Sequence, residues 1–217
     1  MAQKLIAFGC SFTSYIYPSY ADILGAKNYG ISGAGNERIF YEVLKQYNKN
    51  NLHNYNGVIV QWSGINRFDY MTPKGWTPPD GALFLSDRNK HIWKNIKGWY
   101  NESYELEKTI NYITCIRALL NQAKIPFYFM SMNKLRHPDI GLNNLQKKYT
   151  GTYEFVKGAS WTRKSFVDEH PTIKQHMDIA QKCATHFNLQ LSDQALNKAN
   201  LVHEKILQQK AFTDYYL

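Results

Sequence analysis

Cysteine is scarce in this chain: Cys10, Cys115 and Cys183 are its three, odd in number, far apart and never in a CxxC spacing. That excludes a disulfide framework and points to a reduced interior. Long hydrophobic runs are missing as well. No apolar stretch approaches the roughly 20 residues of a membrane span, and the opening residues read as no signal-peptide hydrophobic region. Acidic charge is the third shortage, with 17 Asp plus Glu against 26 Lys plus Arg and a net charge of +9. The excess is densest at Lys147-Lys148, Lys157, Arg163-Lys164, Lys205 and Lys210. Such a field favours acidic partners, an anionic polysaccharide or the acidic face of a protein. A well-solvated surface explains it equally well. Nucleic acid would rest on charge alone and is not the expected partner.

What is plentiful is aromatic. The 15% share includes 16 Tyr. Between Trp62 and Tyr104 come Phe68, Tyr70, Trp76, Phe84, Trp93, Trp99 and Tyr100, interrupted by Pro73, Pro78 and Pro79. Amphipathic rings serve sugar-binding and protein-binding surfaces, and they also pack down loop-rich segments. This stretch, about 63–102, reads as a long insertion over one end of a sheet.

The rest alternates strand and helix. Strands are expected at about 3–9, 27–30, 58–62 and 125–131, with a short edge strand near 189–191. Helices are expected at about 14–25, 37–47 (capped by Asn36), 103–123, from Pro171 to about 187, and 193–209. Residues 133–165 are polar, basic and partly helical. Val58-Ile59-Val60-Gln61-Trp62 is the continuous apolar run of a central parallel strand. The order implies one domain over 1–217, an α/β, doubly wound (flavodoxin-like) three-layer sandwich with a mainly parallel sheet of four to five strands.

Four places carry chemistry. Ser11 follows the first strand in Gly9-Cys10-Ser11-Phe12. Gly33 follows the second, in Ser32-Gly33. Asn66 follows the third, in Gly64-Ile65-Asn66-Arg67. His170 precedes a late helix in Asp168-Glu169-His170-Pro171. In a parallel sheet the strands' carboxyl ends share one edge, where ligands bind. A serine, a histidine beside a carboxylate, a glycine N–H and an asparagine amide together suit acyl transfer.

These four blocks, in this order across roughly residues 3–186, resemble the SGNH hydrolase superfamily of GDSL-type esterases and lipases, most of all its small bacteriophage and marine bacterial members. The resemblance implies that Ser11 is the nucleophile and His170 its general base. It implies that the N–H groups of Ser11 and Gly33 and the Asn66 amide form the oxyanion hole. The expected substrate is a small ester or an acetylated glycan, and the expected location cytoplasmic or virion-associated. The blocks also depart from the family's wording. Cys10 and Arg67 stand where aspartates are usual, and the acid's usual place is Val167. Asp168 is therefore taken to orient His170, with Glu169 or a backbone carbonyl as alternatives.

Other residues have plainer readings. Cys10 reads as a buried small residue. His176, Cys183 and His186 share a helix face but match no familiar zinc spacing, so no metal is expected. Gly30-x-x-Gly33-x-Gly35 lacks the dinucleotide fingerprint, so no cofactor is expected. Arg67 and Trp62 are the candidate substrate contacts. Arg67 either binds an anionic group on the substrate or pairs with Asp69. A fold retained without turnover, as a binding or virion protein, is the competing expectation.

Overall fold

The computed structural model describes residues 4–73, 75–76, 94–95, 97–132, 154–155, 161–163, 166–168 and 170–209. Five parallel strands form the main sheet: β1 (Leu5–Gly9), β2 (Lys27–Gly30), β3 (Gly57–Trp62), β6 (Phe127–Ser131) and β7 (Glu154–Phe155), in the order β2-β1-β3-β6-β7. The protein is therefore mixed α/β with an all-parallel sheet. Every residue of β1 and of β3 is buried. Their largely apolar runs suit strands buried on both faces. Chain order steps from β1 to β2 on one side and to β3 on the other. Two small antiparallel pairs lie outside this sheet: β4 (Met71–Thr72) with β5 (Gly75–Trp76), and β8 (Trp161–Arg163) with β9 (Phe166–Asp168).

The helices form two packed groups. In one, α1 (Tyr20–Ile23), α4 (Ile173–His186) and α5 (Asp193–Gln209) lie against each other; in the other, α2 (Asn36–Asn48) lies against α3 (Glu102–Gln122). On α3 the buried Leu106, Thr109, Ile113, Ile116 and Leu120 recur every three or four residues, one stripe of the helix. Asn101 caps that helix by accepting from the Tyr104 N–H at 3.1 Å. Thr172 and Gln175 cap α4 reciprocally, at 3.2 and 2.8 Å.

Three expectations give way. The helix expected over 14–25 shrinks to the four residues of α1, because residues 10–19 form an irregular loop. That loop's aromatics answer to distant partners; Tyr17 donates its hydroxyl proton to the Pro171 carbonyl at 2.8 Å. No strand forms at 189–191; the Leu189 N–H instead closes the end of α4 on the Ala184 carbonyl at 2.8 Å. The late helix begins at Ile173 rather than at Pro171. Of the expected insertion, residues 77–93 lie outside the described residues, as do 133–153 with Lys147-Lys148, and Lys157, Lys164 and Lys210.

Candidate active site

Because every pairing in the main sheet is parallel, the loops after β1, β2, β3 and β6 leave from one edge. Specific bonds tie them together. The Ile31 N–H donates to the Gly9 carbonyl at 2.9 Å, holding the loop after β2 to the end of β1. The Met132 N–H donates to the Trp62 carbonyl at 2.8 Å, joining the ends of β6 and β3. Gly30 has no room for a side chain: a Cβ there would meet the Ser14 backbone N at 2.9 Å, so the loop after β1 crosses directly over β2.

Ser11 lies in that loop and is 3% exposed. Its hydroxyl is buried and finds no hydrogen-bond partner among the described residues. A buried hydroxyl left unpaired costs about 1–3 kcal/mol. No described residue accepts from the N–H of Ser11 or of Gly33 either. Gly33 sits at φ +79°, the left-handed region open to glycine without strain. Asn66 lies in the turn after β3, and its buried Oδ1 has no donor among the described residues. Ser63 Oγ, three residues earlier, is in the same condition.

His170 comes to this edge from the far end of the chain. Its ring stacks on Tyr15, centroids 3.9 Å apart and planes 17° from parallel, and tilts against Phe12 at 5.5 Å. Phe12 is the residue after Ser11, so the structure brings the histidine into the serine's own loop. The Ser11 hydroxyl nevertheless makes no hydrogen bond to it. Asp168 ends β9, opposite Trp161. Its side chain and the whole of Glu169 lie outside the described residues.

The sequence reading missed what holds the loop down. Gln61, fully buried in β3, turns its Oε1 toward three donors: the Cys10 N–H at 3.2 Å, the Cys10 thiol at 3.1 Å and the Thr13 hydroxyl at 3.2 Å. Its Nε2 donates to the Trp62 carbonyl at 2.6 Å. Since Thr13 has one hydroxyl proton and gives it to Gln61, it accepts from the Tyr20 hydroxyl, 2.9 Å away. The signal available was a lone amide in an otherwise apolar strand. Cys10 is buried, as read.

Asp69 was missed as well, except as a possible partner for Arg67. Its carboxylate accepts from the Gly35 N–H at 2.8 Å and the Arg38 N–H at 2.9 Å. Those are the N-cap and third residue of α2, so a side chain from the loop after β3 caps this helix. Burial pushes the Asp69 carboxyl above the usual carboxylate range, against the pull of those two N–H groups. Asn36, expected as the cap, is instead the first helical residue. Its amide bridges to the Ser63 backbone, accepting from the N–H at 2.7 Å and donating to the carbonyl at 3.1 Å.

The remaining candidates fall as follows. Arg67 is half-buried; it donates to the Ala34 carbonyl at 3.3 Å and lies 3.7 Å from the Met132 sulfur. Trp62, read as a substrate contact, has no exposed surface, and its ring stands T-shaped on Phe129 in the core. His176 and Cys183 are buried in α4, whereas His186 is exposed and reaches the Phe127 carbonyl at 3.0 Å. Among the described residues no three His, Cys, Asp or Glu side chains are grouped to hold a metal ion. Within the same set, no helix is long and apolar enough to cross a membrane. No family model and no curated protein matches the chain.

Proposed function

We propose that the chain is a serine ester hydrolase of the SGNH type, built as a doubly wound, flavodoxin-like three-layer sandwich and acting through an acyl-enzyme intermediate. The observation that carries this reading is the Ser11 hydroxyl, buried without a partner in the loop on which the His170 ring rests. The reading is supported further by the N–H groups of Ser11 and Gly33, unbonded among the described residues, and by Asn66 in the neighbouring turn.

In the proposed reaction Ser11 Oγ attacks the ester carbonyl carbon while His170 accepts the hydroxyl proton. The carbonyl oxygen takes up negative charge, stabilised by the Ser11 and Gly33 N–H groups and the Asn66 amide. Such donors are already neutral and fixed, so no cation is needed. The carbon–oxygen bond to the alcohol then breaks, and His170 returns its proton to the leaving oxygen. Water attacks the acyl-Ser11 ester with His170 again as base, releasing the acid and restoring the hydroxyl. Asp168 is the residue proposed to orient His170. The aromatic 63–102 segment and the basic surface favour a carbohydrate O-acetyl ester over a lipid. A cytoplasmic or virion-associated location goes with that substrate.

One observation favours a second reading, a binding or structural protein that keeps the fold without turnover. Ser11 Oγ is not hydrogen-bonded to His170 and is closed to solvent. Catalytic hydrogen bonds often tighten only in the substrate complex, so activity decides between the two. The test is p-nitrophenyl acetate turnover and fluorophosphonate labelling of the wild type and Ser11→Ala. Labelling that disappears in the variant supports the hydrolase; an unlabelled, folded wild type supports the inactive scaffold.

A further inference from the structure

We propose that Arg67 is a specificity residue that recognises a fixed negative charge on the substrate, so that the preferred ester is one carrying a carboxylate near the scissile bond, such as an acetylated acidic sugar. This rests on the hydrolase reading above and narrows its substrate.

Asp69, two residues on, is the obvious partner for Arg67, but its two oxygens accept from the backbone N–H groups that start α2 and form no ion pair with it. Among the described residues no carboxylate lies within ion-pair distance of Arg67. Its contacts are a neutral carbonyl and a thioether, at 3.3 and 3.7 Å. A guanidinium has five N–H donors, so most of this one's are unspent. Half-buried and without a counter-charge among the described residues, the guanidinium keeps donors open to a ligand.

The second strand is position. Arg67 follows Asn66 directly, and the carbonyl that anchors its guanidinium belongs to Ala34, next to Gly33. A Cβ on Gly35 would meet the Arg67 carbonyl at 2.9 Å, so the two loops are in close contact. The charge is therefore fixed within one residue of two of the proposed oxyanion donors, and Met132 at the end of β6 bounds it on another side. A planar, forked donor held in this way suits a carboxylate, which it can bind through two parallel hydrogen bonds. The transient oxyanion already has neutral donors, which leaves the guanidinium to a charge the substrate carries throughout.

The experiment compares 3-acetoxybenzoate with its neutral counterpart 3-acetoxybenzamide in the wild type, Arg67→Gln and Arg67→Lys. Expected is a wild-type kcat/KM ratio of about tenfold or more in favour of the carboxylate, expressed mainly in KM and diminished by salt. In Arg67→Gln the ratio should fall to about one, with partial recovery in Arg67→Lys. Because the ratio is read within each protein, a general loss of folded enzyme cancels. A ratio in Arg67→Gln that stays at the wild-type value would overturn the proposal, as would a ratio near one in the wild type. If neither ester turns over, the hydrolase reading fails by itself, and binding to Ser11→Ala measured by calorimetry still decides about Arg67. Carboxylate-selective binding abolished by a second change, Arg67→Gln, upholds the anion site; unselective or absent binding rejects it.

Discussion

The His170 imidazole lies flat on the Tyr15 ring, centroids 3.9 Å apart and planes 17° from parallel. Stacked rings contribute about 0.5–1.5 kcal/mol beyond buried area, and here the contact fixes which way a proposed general base faces. Tyr15→Ala should lower the rate of fluorophosphonate labelling at Ser11 by roughly 2–10-fold, and Tyr15→Phe should restore most of it. An unchanged rate in Tyr15→Ala would show that the stack does not orient the histidine.

Gln61 makes a sharper prediction. Replacing it with the similarly sized Met leaves the Cys10 N–H buried without its acceptor, and leaves one proton of the Thr13–Tyr20 hydroxyl pair without one as well. Each orphaned group costs about 1–3 kcal/mol. Urea unfolding should show a loss of that order, and labelling of Ser11 should fall even at urea-free, fully folded conditions. A variant that loses stability but labels at the wild-type rate would make Gln61 a purely structural residue.

Asp69 is testable through the helix it caps. Asp69→Ala removes both acceptors at the start of α2 and should destabilise the protein by about 0.5–2 kcal/mol. Hydrogen exchange at the Gly35 and Arg38 amides should speed up more than exchange elsewhere in α2. Uniform acceleration across the helix would place the cap's contribution elsewhere.

His176 gives the pH dependence. Its Nδ1 accepts from the Tyr20 N–H at 3.2 Å, so the ring is neutral with its proton on Nε2, which has no acceptor among the described residues. Burial, aided by the nearby His170, lowers its pKa from 6.5 to about 3. Between those values the unfolded chain binds the proton and the folded one does not. Stability from this group is therefore intact above about pH 6.5 and declines as pH falls toward 3, by up to about 1.4 kcal/mol per pH unit. Urea midpoints measured from pH 4.5 to 7.5 should drop with acid in the wild type and drop less in His176→Gln, which keeps an acceptor for Tyr20. Parallel slopes in the two proteins would reject this assignment.

What could be read directly was what local pattern determines. β1 and β3 announce themselves because a strand buried on both faces is largely apolar, and α3 because its stripe repeats at helical spacing. Ser11, Gly33 and Asn66 follow β1, β2 and β3, as their order in the chain implies. The loop at 10–19 replaces the expected helix because Tyr15 and Tyr17 are held by residues 170–171, far off in sequence. The cap from Asp69 and the tether from Gln61 cross 31 or more and 48 or more residues, so no local pattern discloses them. β7 is two residues long, too short to carry a periodic signal.

The hydrogen bond from Tyr17 to Pro171 spans 154 residues. A chain leaving the ribosome can pair β1, β2, β3 and β6 well before that partner exists. The Tyr17 end of the Ser11 loop, by contrast, lacks this anchor until the segment leading into α4 has been made. Contacts this distant in sequence form late and slowly. On the proposed chemistry, competence would arrive in a single late step of biogenesis, and a nascent chain exposing its serine would have no base to activate it.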